Sequence, residues 1–207
     1  MLLDADDSQL VLVDYQLKLM PAMLDAPVVI ANAVRLARLA TLMYVPVVLT
    51  EQAPSKLGAT LPEIQAALRV LPGAAARTLE KMHFSAVEAG LGDWLRPLPK
   101  PVQGNARSLP KHLQKASADA EPRATIVLAG CEAHICLLQT ALDLLEDDFE
   151  VWVVTDACSS RTERNRDAAF DRLAGAGAEL VTTEMVAFEW LRGAEHPAFK
   201  GVHALVK

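Results

Sequence analysis

At 207 residues, 52% of them hydrophobic, and with a mean hydropathy of +0.20, the chain carries enough apolar material for one large core and too little polarity for disorder over most of its length. Aromatic residues make up only 5%, so leucine, valine and alanine must fill that core. A net charge of −6 and a pI near 5.4 argue against an electrostatic nucleic-acid binder, which needs a basic face to displace counterions.

Asp4, Asp6 and Asp7 stand where a secretory leader would need its apolar run, and no apolar stretch is long enough to cross a bilayer. Leu10–Val13 is then a continuous apolar run of the kind found in a strand covered on both faces. Pro27 suits the first turn of a helix, and Val29, Ala33, Leu36, Ala37, Ala40 and Met43 follow at helical spacing. Val45–Thr50 reads as a second strand, with Pro46 near its start, where a missing N–H is tolerable. Residues 75–81 read as a short third strand ending at Lys81, and residues 86–95 as a helix.

From Pro97 to Arg123 the character changes. Pro97, Pro99, Pro101, Pro110 and Pro122, with Gly104 and several lysines, mark a surface insertion with a short helix around residues 109–117. Thr125–Gly130 is the clearest strand, followed by a helix with Ile135, Leu138, Leu142 and Leu145 on one face. Val151–Val154 is a fifth strand. Ser160 and Glu163 form a capping-box pattern ahead of the next helix. Ala178–Val181 is a sixth strand, and a helix lies near 184–192. Strands separated by helices require crossover connections. The expected fold is therefore α/β: a three-layer αβα, Rossmann-like single domain around a mostly parallel six-stranded sheet. In such sheets the chemistry sits at the carboxyl ends of the strands.

Three strand ends carry reactive side chains. Asp14 follows the first strand; alone, it could be a turn or cap acid. Lys81 ends the third; alone, it could be a surface lysine. Cys136 falls in the first turn of the helix after the fourth; alone, it could be a small buried hydrophobe. Together a thiol, a carboxylate to take its proton and an ammonium form an acyl-transfer set. Unpaired first-turn amides and the lysine would favour a thiolate, so the thiol is expected to be more acidic than free cysteine. Cys131, His134 and Cys136 lack the fourth ligand and second pair of a zinc site, and no G-x-G-x-x-G follows a strand, so neither metal nor cofactor is expected. Cys158, Trp94, Trp152 and Trp190 read as packing or interface residues. Three cysteines, an odd number, suit free thiols in a reducing compartment, and a cytoplasmic protein is expected.

Val13-Asp14-Tyr15-Gln16, Lys81-Met82-His83-Phe84-Ser85, the run Ala129 to Cys136, Leu138 to Leu145, and Thr155 to Arg161 occur in an order and spacing that resemble the isochorismatase-like cysteine hydrolases. The likeness runs from about Val11 to Val186. Thr50-Glu51-Gln52, Leu57-Gly58 and the tail His196 to Lys200 resemble the family's stand-alone isochorismatase domain-containing branch. The resemblance implies Asp14, Lys81 and Cys136 as a catalytic triad with a covalent thioester-type intermediate. It implies a non-proline cis peptide near Cys131 and Glu132 that aims amides at an oxyanion. It suggests Gln16, Glu51, Phe84 and His134 as lining of the substrate pocket. The family's nicotinamidase branch carries an Asp and His metal cluster after the second strand; Thr50-Glu51-Gln52-Ala53-Pro54 has no histidine there. The expected activity is metal-independent hydrolysis of a small amide, ester or related molecule; the alternative is a binding or scaffold protein that keeps the fold without turnover. The expected partners are a small-molecule substrate and further copies of the chain, as a dimer or tetramer, with neither nucleic acid nor membrane.

Overall fold

A computed structural model describes residues 1–68, 76–96 and 123–207. The expected insertion and its short helix lie outside these residues, Arg123 excepted. β1 (Ser8–Val13) and β4 (Thr125–Gly130) are buried at every position. With β2 (Val47–Gln52), β3 (Arg77–Lys81), β5 (Glu150–Val154) and β6 (Glu179–Val181) they form one six-stranded sheet in the order β3-β2-β1-β4-β5-β6. Every pairing is parallel. The continuous apolar runs of β1 and β4 are thus those of the two central strands, which must be apolar on both faces because helices cover both.

α1 (Ala26–Leu42) buries Val29, Ala33, Leu36, Ala37 and Ala40, the stripe its spacing predicts. α2 (Pro54–Leu57) and α3 (Pro62–Leu68) link β2 to β3. α4 (Leu91–Leu95) is half the length of the expected helix 86–95, because residues 85–90 form turns that dock on a later helix. α5 (Leu138–Glu146) and α6 (Glu163–Gly175) flank β5, and α7 (Thr183–Leu191) and α8 (Phe199–Val206) close the chain. α1 packs beside α3, α7 and α8, and α5 beside α6, which gives the two outer layers. The cap of α6 is Thr162, whose side chain accepts from Asn165 N at 3.3 Å. Ser160, expected in that role, is instead fully buried and bonded to His134. Trp152 and Trp190 are core residues, and Trp190 Nε1 donates to Ser8 Oγ at 3.1 Å. Trp94 lies under the Arg77 guanidinium, 3.8 Å from its ring centre.

β1 and β4 are neighbours, yet the chain leaves β1 toward β2 and leaves β4 toward β5. Such a reversal opens a crevice beyond the strand ends. Just before it the two strands approach closely. Val13 is paired with Gly130, which has φ +157°; a Cβ there would lie 2.4 Å from Val13 O and 2.5 Å from Val13 Cβ. Only glycine fits, so β1 and β4 stay in contact up to the last residue before the crevice.

Candidate active site

Asp14 is the first residue past β1. Its backbone turns into the left-handed region (φ +55°) while its N–H donates to Thr50 O at 3.2 Å, so the side chain is delivered at the crevice beside β2. Asp14 Oδ1 accepts from Thr50 Oγ1 at 2.6 Å and Oδ2 from Lys81 Nζ at 2.7 Å. Both side chains of this ion pair are fully buried. Lys81, the last residue of β3, also donates to Gln52 Oε1 at 2.8 Å and to Phe84 O at 3.1 Å, with His83 O at 3.4 Å.

β2 extends through Glu51 and Gln52, two residues beyond the expected end. Strand alternation therefore decides which side chains reach the site. Thr50 and Gln52 share the face that meets Asp14 and Lys81. Glu51 points the other way, where Oε1 accepts from Thr60 N at 2.7 Å and Thr60 Oγ1 at 2.8 Å. Gln16 is fully buried; its Nε2 donates to Gln52 O at 3.0 Å and Gly58 O at 2.6 Å, and its Oε1 accepts from Gln52 N at 2.8 Å. Glu51 and Gln16, expected as pocket lining, thus have their side chains engaged in holding the segment from Ala53 to Thr60 against the sheet.

Cys136 lies in the wide turn Ala133–Leu137 that leads into α5. Its Sγ is 4.0 Å from Gln52 Oε1, and the residue is 6% exposed. The thiol is pushed up to about 12, first by burial and then by the Asp14 carboxylate, while the Lys81 ammonium opposes the rise. The expectation of an acidic thiol is therefore corrected. A thiolate here would lose most of its water, and the ammonium that should steady it is already paired with a carboxylate. Cys158 is pushed up to about 12 and Cys131 well above its ordinary range, both mainly by burial, as suits packing thiols.

The Cys131–Glu132 peptide is cis, where the family resemblance implied one. Around it the chain is fixed to the loop after β5: Ala133 N donates to Ser159 O at 2.7 Å, and Glu132 Oε2 accepts from Arg161 Nε at 2.8 Å and Arg161 N at 3.3 Å. His134 is half-buried, with Nδ1 2.9 Å from Ser160 Oγ. Phe84 is 53% exposed and borders a cleft of about 530 Å³ between the segment after β3 and α5, with Met82, Glu88, Leu142, Asp143 and Glu146. That segment is docked on α5 by Ser85 Oγ donating to Asp143 and Ala86 N donating to Thr140 Oγ1 at 2.9 Å, which fixes the Phe84 carbonyl on Lys81. Among the described residues, no three His, Cys, Asp or Glu side chains are grouped so as to hold a metal ion.

The structure therefore brings Asp14, Lys81 and Cys136 to one place from the ends of β1, β3 and β4. It adds two residues that sequence reasoning did not select as functional, Thr50 and Gln52. The signal was available: the residues lie two apart at the carboxyl end of β2 and so share a face, but the expected strand stops at Thr50 and leaves Gln52 outside it.

The isochorismatase domain matches residues 8–185. Isochorismatase domain-containing protein 2A of Mus musculus is 35% identical over 202 residues, covering 98% of this chain and 84% of that protein. The structure of the MAR1 ribonuclease from Caenorhabditis elegans superposes with a TM-score of 0.82 at 30% identity, over 100% of this chain and 92% of that one. The YcaC gene product of Escherichia coli, described as an octameric hydrolase of unknown specificity, superposes with a TM-score of 0.77 at 25% identity, over 99% and 89%. A domain match over most of the length, a relative above 30% identity across nearly the whole chain, and superposition on solved structures over nearly the whole chain agree: the chain belongs to the isochorismatase family of hydrolases.

Proposed function

We propose that the chain is a metal-independent cysteine hydrolase that opens a small amide, ester or related substrate through Cys136, Asp14 and Lys81. The observation that carries this reading is the fully buried Asp14–Lys81 pair beside the Cys136 thiol. A buried ion pair contributes little net stability, because desolvation offsets its attraction. Its place at the crevice next to a nucleophile is better accounted for by chemistry.

The steps follow from the groups present. Asp14 takes the thiol proton as Sγ attacks the substrate carbonyl carbon. Proton and bond move together, so the adjacent base activates the thiol at the moment of attack and a standing thiolate is not needed. The Lys81 ammonium balances the negative charge shared by carboxylate and sulfur. The carbonyl oxygen, now an oxyanion, faces the backbone around Cys131 and Glu132 and the Cys136 N–H. Collapse expels the amine or alcohol, which leaves with the proton held by Asp14, and a thioester to Cys136 remains. Asp14 then deprotonates a water molecule that attacks the thioester; the acid product departs and the sulfur recovers a proton. Phe84 and His134 are proposed to border the substrate's path. Gln16 and Glu51 act one step back, through the wall they hold.

A panel of small amides and esters offered to the purified chain, with Cys136→Ala as the blank, tests this reading. Turnover by the wild type and not by the blank supports it; equal turnover by both overturns it. The ribonuclease name of the C. elegans relative gives a second reading, and a single-stranded RNA in the same panel decides it. The acidic net charge and the carboxylates Glu88, Asp143 and Glu146 along the cleft favour the small molecule. Absence of all turnover, with Cys136 no more shielded than free cysteine, would leave the scaffold alternative.

Self-association as a dimer or tetramer belongs to the same proposal. It is supported by exposed Leu17, Met82 and Phe84 and by the octameric E. coli relative. Light scattering at micromolar concentration is expected to give a mass above that of one chain, and a monomer would contradict it.

A further inference from the structure

Lys81 Nζ has three protons, and three acceptors lie within 3.1 Å: Asp14 Oδ2 at 2.7 Å, Gln52 Oε1 at 2.8 Å and Phe84 O at 3.1 Å. The ammonium is saturated before the sulfur is counted. Two of its acceptors are fixed: Asp14 is tied to Thr50, and the Phe84 carbonyl belongs to a segment docked on α5. The third is a side-chain amide, and its Oε1 also lies 4.0 Å from Cys136 Sγ, beside a thiol that Asp14 and Lys81 approach as well. Its orientation is dictated, because Gln52 Nε2 donates to Met82 O at 3.0 Å while the main-chain N–H of Gln52 is held by Gln16. An amide turned the other way would aim its NH2 at the ammonium.

We propose that Gln52 is a positioning residue that holds Cys136 in its resting thiol form. Its Oε1 takes the Lys81 proton a thiolate would need, and accepts the proton of the thiol itself. The inference rests on the hydrolase reading for its purpose, since a bound substrate that displaces the amide would free the Lys81 proton for the sulfur at the moment of attack. No bond is made or broken in that exchange; one hydrogen-bond acceptor replaces another. Among the described residues, the charged groups facing Cys136 are Asp14 from the end of β1 and Lys81 from the end of β3; β2 contributes the neutral Gln52, and His134 on the same turn is engaged with Ser160. The high thiol pKa is consistent with the proposal, and burial and Asp14 are its larger causes.

The test is the rate of Cys136 alkylation by iodoacetamide as a function of pH, mapped by peptide mass, on the full-length chain. Gln52→Met keeps the length and removes the acceptor; the freed Lys81 proton then stabilises the thiolate. Its thiol pKa is expected to fall by about one unit, so alkylation below that pKa speeds up about tenfold. Gln52→Glu adds a negative charge beside the sulfur, and alkylation is expected to slow. Opposite shifts from two substitutions of one residue are what a positioning role requires, because loosening of the site would move both variants toward free cysteine. No shift in either variant, or a joint move to the free-cysteine value with loss of the circular dichroism signal, overturns the proposal. This readout needs no turnover: if Cys136→Ala retained hydrolysis, the hydrolase reading would fail while the Gln52 result would still stand or fall by itself.

Discussion

Replacing Lys81 with methionine is expected to destabilise the folded chain by about 3–5 kcal/mol, the cost of leaving a buried charge without its partner. Methionine matches the lysine stem in volume, so packing changes little. What changes is Asp14, whose carboxylate is fully buried and would keep only the Thr50 hydroxyl. Gln52 Oε1 and the Phe84 carbonyl lose their donor as well. Urea unfolding of the two proteins reads the difference. A loss below about 1 kcal/mol would be the behaviour of a solvated surface pair and would contradict the burial described here. The thiol responds too. Lys81 holds the Cys136 pKa down against burial and Asp14, so its removal raises that pKa further and slows alkylation at any given pH.

Asp14→Asn separates the roles of the carboxylate. Asparagine has the same shape, can still accept from Lys81 through its carbonyl, and can donate to Thr50 Oγ through its amide. The hydrogen bonds are therefore kept, although the buried Lys81 ammonium loses its counter-charge. Hydrolysis is expected to fall about 10²–10⁴-fold, the range for loss of a positioned general base. The thiol moves in the opposite sense. Asp14 raises the Cys136 pKa through its negative charge, so removing that charge lowers the pKa and increases the thiolate fraction at a fixed alkaline pH. Iodoacetamide should label the variant faster than the wild type while the variant hydrolyses more slowly. If both rates fell together, a damaged site would account for them; if hydrolysis were unchanged, Asp14 would not be the base.

The layers and the reaction edge of this fold are legible in the sequence because they follow from hydrophobic period and connection length. Leu10–Val13 and Ile126–Gly130 are apolar at every position, as strands covered on both faces are. Where the strands of such a sheet end, chemistry is expected, and Asp14, Lys81 and Cys136 stand at or past the ends of β1, β3 and β4. The details that fix the site were harder to see for local reasons. Thr50 is the last residue of the expected strand and Gln52 lies beyond it, so the alternation that puts both on one face is hidden. Glu51 and Gln16 carry groups suited to a pocket, yet alternation and a fully buried position give them to the Ala53–Thr60 segment, which pairwise spacing does not reveal. Ser160 fits a capping pattern but is claimed by His134, a contact 26 residues distant in the chain. The thiol pKa is the clearest case. First-turn amides and a lysine suggested an acidic sulfur, but burial and the Asp14 carboxylate outweigh Lys81 and reverse the sign, and both depend on tertiary packing.

The central claim is that Cys136 carries the acyl group during turnover. Intact-protein mass spectrometry of the chain mixed with an activated aryl acetate, quenched in acid and followed by peptide mapping, addresses it directly. One added acetyl group is expected on Cys136 in the wild type, and none on Cys136→Ala. Steady release of acetate with no mass gained on Cys136, at a rate the alanine variant matches, would contradict it.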